Sequence, residues 1–184
     1  MGKLNSFTFI TLDGYYKTLD GDISWHKHGG EEGSYSAESL QSGNMLLFGR
    51  TTYEMMASFW PTPMAMDLFP VVAEGMNKAE KLVFSRTLEN AAWENTRIVN
   101  GDILAEVKAL KQKVSNDMTL LGSGSIVSQF AAAGLIDAYQ IMIDPIAIGD
   151  GASLFKNISR QLHLRLVSSR IFNSGVVLLN YEPA

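Results

Sequence analysis

Three short apolar runs each end in a polar tail able to hold an anion. Gly49-Arg50-Thr51-Thr52 follows MLLF, Ser85-Arg86-Thr87 follows LVF, and Gly122-Ser123-Gly124-Ser125 follows MTLL. Small residues let a phosphate reach the backbone, and the first-turn N–H groups of a helix have no intrahelical partner. Arginine adds a planar fork for a further phosphate, so Arg50 and Arg86 favour NADPH over NADH. Taken singly, glycine at a strand end makes a turn and surface arginine is solvated; the signal is the coincidence of three. Val127 stands where a third glycine would complete the usual dinucleotide fingerprint, and the motif lies late in the chain, which disfavours a standard Rossmann domain.

The elements that must carry these tails are legible in outline. Residues 118–134 read as strand, glycine turn and helix, with Ile126, Val127 and Phe130 at helical spacing and Gly134 suited to the helix end. Residues 44–48 read as a buried strand, and Thr51 with Glu54 matches a capping box opening a helix that ends before Trp60-Pro61. Residues 64–79 read as a helix broken near Pro70, 81–84 as a strand, and Trp93 with 97–99 as weak strands. Residues 102–115 are an amphipathic helix. The spacing further predicts strands over 3–12 and 137–143, a functional loop over 15–33, a short helix over 34–42, a punctuated loop over 144–151 and a hairpin from 162–172 to 176–181. Strands alternating with helices before a terminal hairpin imply an α/β fold with a mostly parallel central sheet.

A chain of 184 residues, 46% of them hydrophobic, is expected to form one globular domain over 1–184. The net charge of −4 and the lack of basic runs disfavour a nucleic-acid partner. Absence of cysteine excludes thiolate chemistry, and the polar N-terminal segment reads as neither signal peptide nor membrane span, so a cytoplasmic location is expected. Asn157-Ile158-Ser159 is read as a chance sequon.

Other chemistry-bearing residues are weighed against plainer roles. Tyr16, Trp25 and Trp60 are candidates to line a pocket. Asp13 either initiates the turn with Gly14 or turns its carboxylate toward that pocket. His26-Lys27-His28 with Glu31 and Glu32 matches no metal-ligand spacing and reads as a polar loop, so no metal is expected. His163 reads as a surface strand residue, and no nucleophile elbow is present. Met55, Met56, Met64 and Met66 read as core or pocket packing.

The order LDG, LLFGRTTYEMM with FWP, LVFSRT, LLGSGSIVSQF, MIDPIAIGDGASLF and SGVVLLNYEP resembles the dihydrofolate reductase-like superfamily over nearly the whole chain. It is most similar to stand-alone relatives of the reductase domain of the riboflavin-biosynthesis deaminase/reductase. The resemblance implies helices flanking the sheet, NADPH as hydride donor, a small heterocyclic (pyrimidine- or pterin-like) or carbonyl substrate, and a homodimer. It implies Gly49, Arg50, Thr51 and Thr52 beside the adenosine phosphates, Ser85 and Arg86 near the ribose phosphate, and Gly122, Ser123, Gly124, Ser125 and Ile126 beneath the pyrophosphate. Ile10 and Leu12 would lie near the nicotinamide, and Trp25 would match the aromatic at the substrate mouth; Asp13, Tyr16 and Tyr53 are the further candidates for the substrate side. Two departures stand out. Gly122-Ser123 replaces a Gly-Gly unit, and the substrate carboxylate of the first helix has no counterpart, Gly33 falling near its place with Glu31, Glu32 and Glu38 around it. Folate is therefore not the expected substrate. The resemblance names no catalytic residue, and a non-catalytic nucleotide-binding or ligand-sensing protein is the alternative.

Overall fold

The structure is a computed structural model that describes residues 1–26, 28–156, 158 and 161–184. Lys27 of the His26-Lys27-His28 triplet, and Asn157 and Ser159 of the sequon, lie outside the described residues. The chain forms two compact units, one of Met1–Lys3 with His28–Leu121 and one of Leu4–Lys27 with Gly122–Ala184. In chain order the elements begin with β1 (Leu4–Thr11), β2 (Tyr15–Lys17), α1 (Gly30–Gln41), β3 (Met45–Gly49) and α2 (Arg50–Phe59). They continue through α3 (Pro63–Leu68), α4 (Pro70–Lys78), β4 (Lys81–Phe84), β5 (Thr96–Val99), α5 (Ile103–Lys113) and β6 (Met118–Leu121). The last are α6 (Gly124–Ala132), β7 (Ala138–Asp144), β8 (Ala152–Ser153), β9 (Leu164–Ile171) and β10 (Val177–Pro183).

In the first unit β5, β4, β3 and β6 lie side by side in that order, all parallel. Parallel strands covered on both faces carry continuous apolar runs, which is why Leu46, Leu47, Phe48, Leu82 and Val83 are all buried. Phe48, Tyr53 and Trp93 pack ring against ring with Leu46, Met76 and Val83. Trp93 belongs to this core and not to a strand; its indole N–H donates to Asn77 Oδ1 at 2.7 Å. The helical stretch interrupted near Pro70 is two helices meeting at Phe69, each with proline in its first turn, where a missing N–H costs nothing. Asp102 caps α5, its carboxylate accepting from Leu104 and Ala105 N–H.

Several local expectations give way to competing contacts. The capping box at Thr51 and Glu54 does not form: Gly49 is the N-cap, α2 starts at Arg50, and Glu54 pairs with the Arg50 guanidinium at 2.8 Å. The helix expected over 34–42 begins at Gly30, so Glu31 and Glu32 lie in its first turn rather than in a loop. β2 likewise interrupts the loop expected over 15–33. Met64 is 62% exposed and Met55 and Met66 are also exposed, so these three are not core residues.

Lys81 is only 2% exposed. Its ammonium donates to the carbonyls of Asn77 and Ala79 at 3.0 and 2.6 Å at the end of α4, and lies 4.6 Å from the centre of the Trp93 ring. Burial lowers its pKa from the ordinary 10.5 to about 8, against the opposing pull of Glu94. Between those two values the unfolded chain holds a proton that the folded chain has released, so stability conferred by this group rises with pH across that window. Urea unfolding of the parent and Lys81→Met is expected to show a stability difference that shifts toward the parent as pH climbs through the window. A constant difference would contradict the linkage.

The second unit holds β1, β7, β10 and β9 side by side, with β1 parallel to β7 and the other pairs antiparallel. β2 and β8 form a separate two-stranded ribbon. The terminal hairpin forms as the alternation predicts, yet β9 has no buried face: every residue from Arg165 to Ile171 is exposed, Ile171 by 78%. No helix among the described residues is long and apolar enough to cross a membrane.

Candidate functional site

In the first unit, β3 and β4 run parallel with Gly49 opposite Phe84, which sets their carboxyl ends side by side. Ligands in open α/β sheets bind beyond such ends. Gly49 turns the chain from strand into α2 at φ −77° and ψ 160°. Arg50, half exposed, donates from Nε to Glu54 and from Nη1 to Thr87 Oγ1 at 2.5 Å. Thr51 is exposed and Thr52 half-buried on the same turn. Ser85 Oγ accepts from the N–H groups of Thr87 and Leu88, curling the segment after β4 and leaving Arg86 exposed. Two of the three tails thus meet, joined by the Arg50–Thr87 bond.

Tyr53, a candidate for the substrate side, is a core residue. Its hydroxyl accepts from the Trp93 N–H at 3.1 Å, and its ring is buried against Phe48 and Trp93. Trp60, a pocket candidate, packs edge-on against Phe59 and Phe69 and donates to the Met56 sulfur. Glu32, one of the three glutamates noted around Gly33, is almost fully buried in the first turn of α1.

The third tail is in the second unit. Gly122 donates its N–H to Phe7 O at 2.9 Å and has φ 53°; Ser123 follows at φ 57° and ψ 50°. Two successive left-handed residues turn the chain sharply into α6, and a serine there carries strain that glycine would not. The peptide bonds of this turn are trans. The first N–H groups to bond within the helix are those of Ile126 and Val127, both donating to Ser123 O, so the N–H groups of Gly124 and Ser125 precede the ladder. Ser125 is exposed, Ile126 buried. Gly124 is covered by Tyr16: a Cβ built there would sit 2.5 Å from Tyr16 Cε1 and 2.6 Å from its Cζ. Burial raises the Tyr16 pKa, keeping its phenol a donor.

β1 delivers the remaining residues. Ile10 is half-buried opposite Ile143, and Leu12 is exposed with its N–H donating to Ile146 O. Asp13 is engaged by its own surroundings. Oδ1 accepts from the Thr11 hydroxyl at 2.6 Å, and Oδ2 accepts from the N–H groups of Ile148 and Gly149 at 3.0 and 2.8 Å. The Thr11 hydroxyl, followed by the backbone donors, holds its carboxyl below the ordinary range despite some desolvation. Asp13 therefore ties the β1 turn to the loop after β7.

Sequence reasoning missed His26. Read as part of a polar loop, it is buried with Asp144, Nδ1 lying 2.9 and 3.1 Å from the two carboxylate oxygens. Its ring stacks on Phe9 at 3.6 Å between centroids, and Trp25 meets it edge-on. The sole local signal was an aspartate closing the apolar run of β7, whose partner lies 118 residues away. Among the described residues no group of three or more acids and histidines is placed to hold a metal ion.

In the first unit the exposed Arg50 and Arg86 can hold an anion at the ends of β3 and β4. In the second unit the exposed first turn of α6 at Ser125 offers backbone donors to an anion. The RibD C-terminal domain pattern matches residues 2–178. The chain belongs to the RibD C-terminal domain family. It is 29% identical over 173 residues to the uncharacterized protein YyaP of Bacillus subtilis, covering 94% of this chain and 90% of that one. The fold is similar to that of a protein from Shewanella sp. PV-4 named for riboflavin biosynthesis, with a TM-score of 0.77, 21% identity and 99% of both chains covered. It is also similar to dihydrofolate reductase from Enterococcus faecalis complexed with NADP(H), with a TM-score of 0.68, 15% identity, and 99% of this chain and 96% of that one covered. The fold of this RibD C-terminal domain member is accordingly dihydrofolate reductase-like: a mostly parallel central sheet with helices and a C-terminal antiparallel strand pair, a reductase-type architecture.

Proposed function

We propose that this RibD C-terminal domain member is an NADPH-dependent reductase of a small pyrimidine- or pterin-like heterocycle or a carbonyl compound. The observation that carries the reading is the meeting of Arg50 with the Ser85-Arg86-Thr87 tail at the adjoining ends of β3 and β4. Two guanidinium groups there suit a ribose phosphate, which distinguishes NADPH from NADH. When bound, the cofactor supplies the hydride. The chain's own residues bind and orient: Gly49, Thr51 and Thr52 frame the Arg50 turn, while Gly122, Ser123, Ser125 and Ile126 shape the start of α6. Ile10 and Leu12 face the nicotinamide, and Tyr16 and Trp25 wall the substrate side.

Titration of NADPH and NADH against tryptophan fluorescence tests this. NADPH is expected to bind more tightly, and Arg50→Ala and Arg86→Ala are each expected to lower NADPH affinity by roughly tenfold, the loss of about one charge-assisted bond, with NADH affinity little changed. No binding of either at millimolar concentration would sink the reading. Binding of NADPH without its oxidation across pterins, pyrimidines and quinones would favour a ligand-sensing protein instead.

The same reading includes a homodimer. β9 is a sheet-edge strand exposed on both faces, with Leu166 and Val167 each about half exposed, the kind of edge that single chains usually blunt. A second copy of the chain is its occupant. Light scattering is expected to give twice the chain mass, and Val167→Lys to return the monomer; a monomer at micromolar concentration in the parent would remove the dimer.

A further inference from the structure

The second unit contains a buried pair for which the reductase reading so far has no use. His26 and Asp144 have side chains only 2% and 4% exposed, so their contact is made out of water, where leaving either unpartnered is costly. Two contacts fix the His26 ring: the Asp144 carboxylate holds Nδ1, and the Phe9 ring stacks beneath it at 18° between planes. The backbone N–H of His26 donates to Ile23 O in a turn. Phe9 is on β1 and Asp144 closes β7, and these strands are parallel neighbours with Thr11 opposite Asp144. The ring is thereby anchored at the shared carboxyl ends of β1 and β7, the end of a parallel pair at which ligands bind.

Trp25 depends on that ring. The indole packs edge-on to His26 with centroids 6.3 Å apart and planes at 81°. Its N–H is buried, and among the described residues it has no hydrogen-bond partner. A buried indole donor normally finds an acceptor, and leaving it without one is costly. The segment leading to it is tied to itself: Thr18 bonds the Asp20 carboxylate and Asp22, and Asp22 accepts from the Ser24 N–H and hydroxyl. The His26–Asp144 contact is what fastens that segment to β7.

We propose that His26 and Asp144 are positioning residues, a latch holding loop 18–26 at the ends of β1 and β7 so that the Trp25 indole N–H donates to an acceptor oxygen on the bound heterocycle. The inference rests on the reductase reading for the identity of the acceptor, but not for the latch. His26 acts through Trp25 and carries no proton to the substrate.

The test labels the full chain with fluorotryptophan and follows Trp25, Trp60 and Trp93 by fluorine NMR, with Trp25→Phe assigning the line. His26→Gln and Asp144→Ala are expected to shift or broaden the Trp25 line while those of Trp60 and Trp93 stay in place. Asp144→Asn, which keeps an acceptor for the imidazole, is expected to return the Trp25 line to its parent position. If Asp144→Ala does not fold, His26→Gln and Asp144→Asn carry the comparison. A Trp25 line unmoved in folded His26→Gln overturns the latch. With NADPH present, diaminouracil is expected to shift the Trp25 line, and both Trp25→Phe and His26→Gln are expected to weaken its binding by about tenfold, the loss of roughly one hydrogen bond. Equal binding to Trp25→Phe, or no response of Trp25 to millimolar diaminouracil, overturns the donor role. A Trp25 response with no NADPH oxidation counts against the reductase reading and leaves the latch standing.

Discussion

Gly124→Ala is expected to destabilise the protein by about 2 kcal/mol in the parent, yet to be neutral or stabilising once Tyr16 is also alanine. Alanine is ordinarily the better helical residue by about 1 kcal/mol, and Gly124 opens α6 with a backbone that any residue accepts. The obstacle is the Tyr16 ring, whose Cε1 and Cζ lie 2.5 and 2.6 Å from the position of the new methyl. The ring has little freedom to retreat. β2 is paired with β8, and at Gly151 a Cβ would meet Lys17 O at 2.5 Å, so the ribbon that carries Tyr16 is closely held on its other side. Urea denaturation of the four proteins of the double-mutant cycle measures the effect directly. A coupling energy above about 1 kcal/mol is expected, because the two residues touch. Additive losses would show that the ring yields freely. The same variants test the α6 turn as a phosphate cradle: Gly124→Ala is expected to lose NADPH affinity, and unchanged affinity would remove the turn from the binding site.

Asp144→Ala is expected to cost about 3 kcal/mol, and Asp144→Asn about 1. The alanine leaves the buried His26 Nδ1 without its carboxylate, whereas asparagine keeps an oxygen within reach. Burial also makes the loss insensitive to salt. The Arg50–Glu54 pair provides the contrast: its side chains are 45% and 47% exposed, and Glu54→Ala is expected to cost less than about 1 kcal/mol, shrinking further as salt is added. Midpoints of urea unfolding at low and high salt distinguish the two. An Asp144→Ala protein within about 0.5 kcal/mol of the parent would show that the pair does not hold its segment in place.

The elements that could be read from the sequence are those whose signals are local. The apolar runs of β3 and β4, the one-sided α5 with Asp102 ahead of it, and the turn residues between β9 and β10 each carry their own instruction. Where two local signals compete, the reading fails. Glu54 had a capping partner at Thr51, but Arg50 four residues ahead offered a charge, and the ion pair prevailed. The start of α1 was hidden because Gly29 and Gly30 look like loop residues. Tyr53 shows a different limit. Its place on α2 was legible, but the Trp93 N–H that draws its hydroxyl inward lies 40 residues away. His26 and Asp144 are the extreme case, a contact across 118 residues with no local pattern at either end. In the candidate site, the strand-end tails could be anticipated from their own composition; which residue covers Gly124, and what holds Trp25, came only from tertiary contacts.

The discontinuity of the second unit has a consequence for how the chain is made. β1 is made well before β7, its parallel neighbour in the same unit, which begins at Ala138, and the Leu4 N–H donates to the Asp137 carboxylate 133 residues further on. At translation rates of about 5–20 residues per second, β1 waits roughly 7 to 25 seconds for that partner. Residues 28–121 of the first unit are all synthesised within the interval. FTFI therefore lacks its β7 partner until after the residues between them have been made.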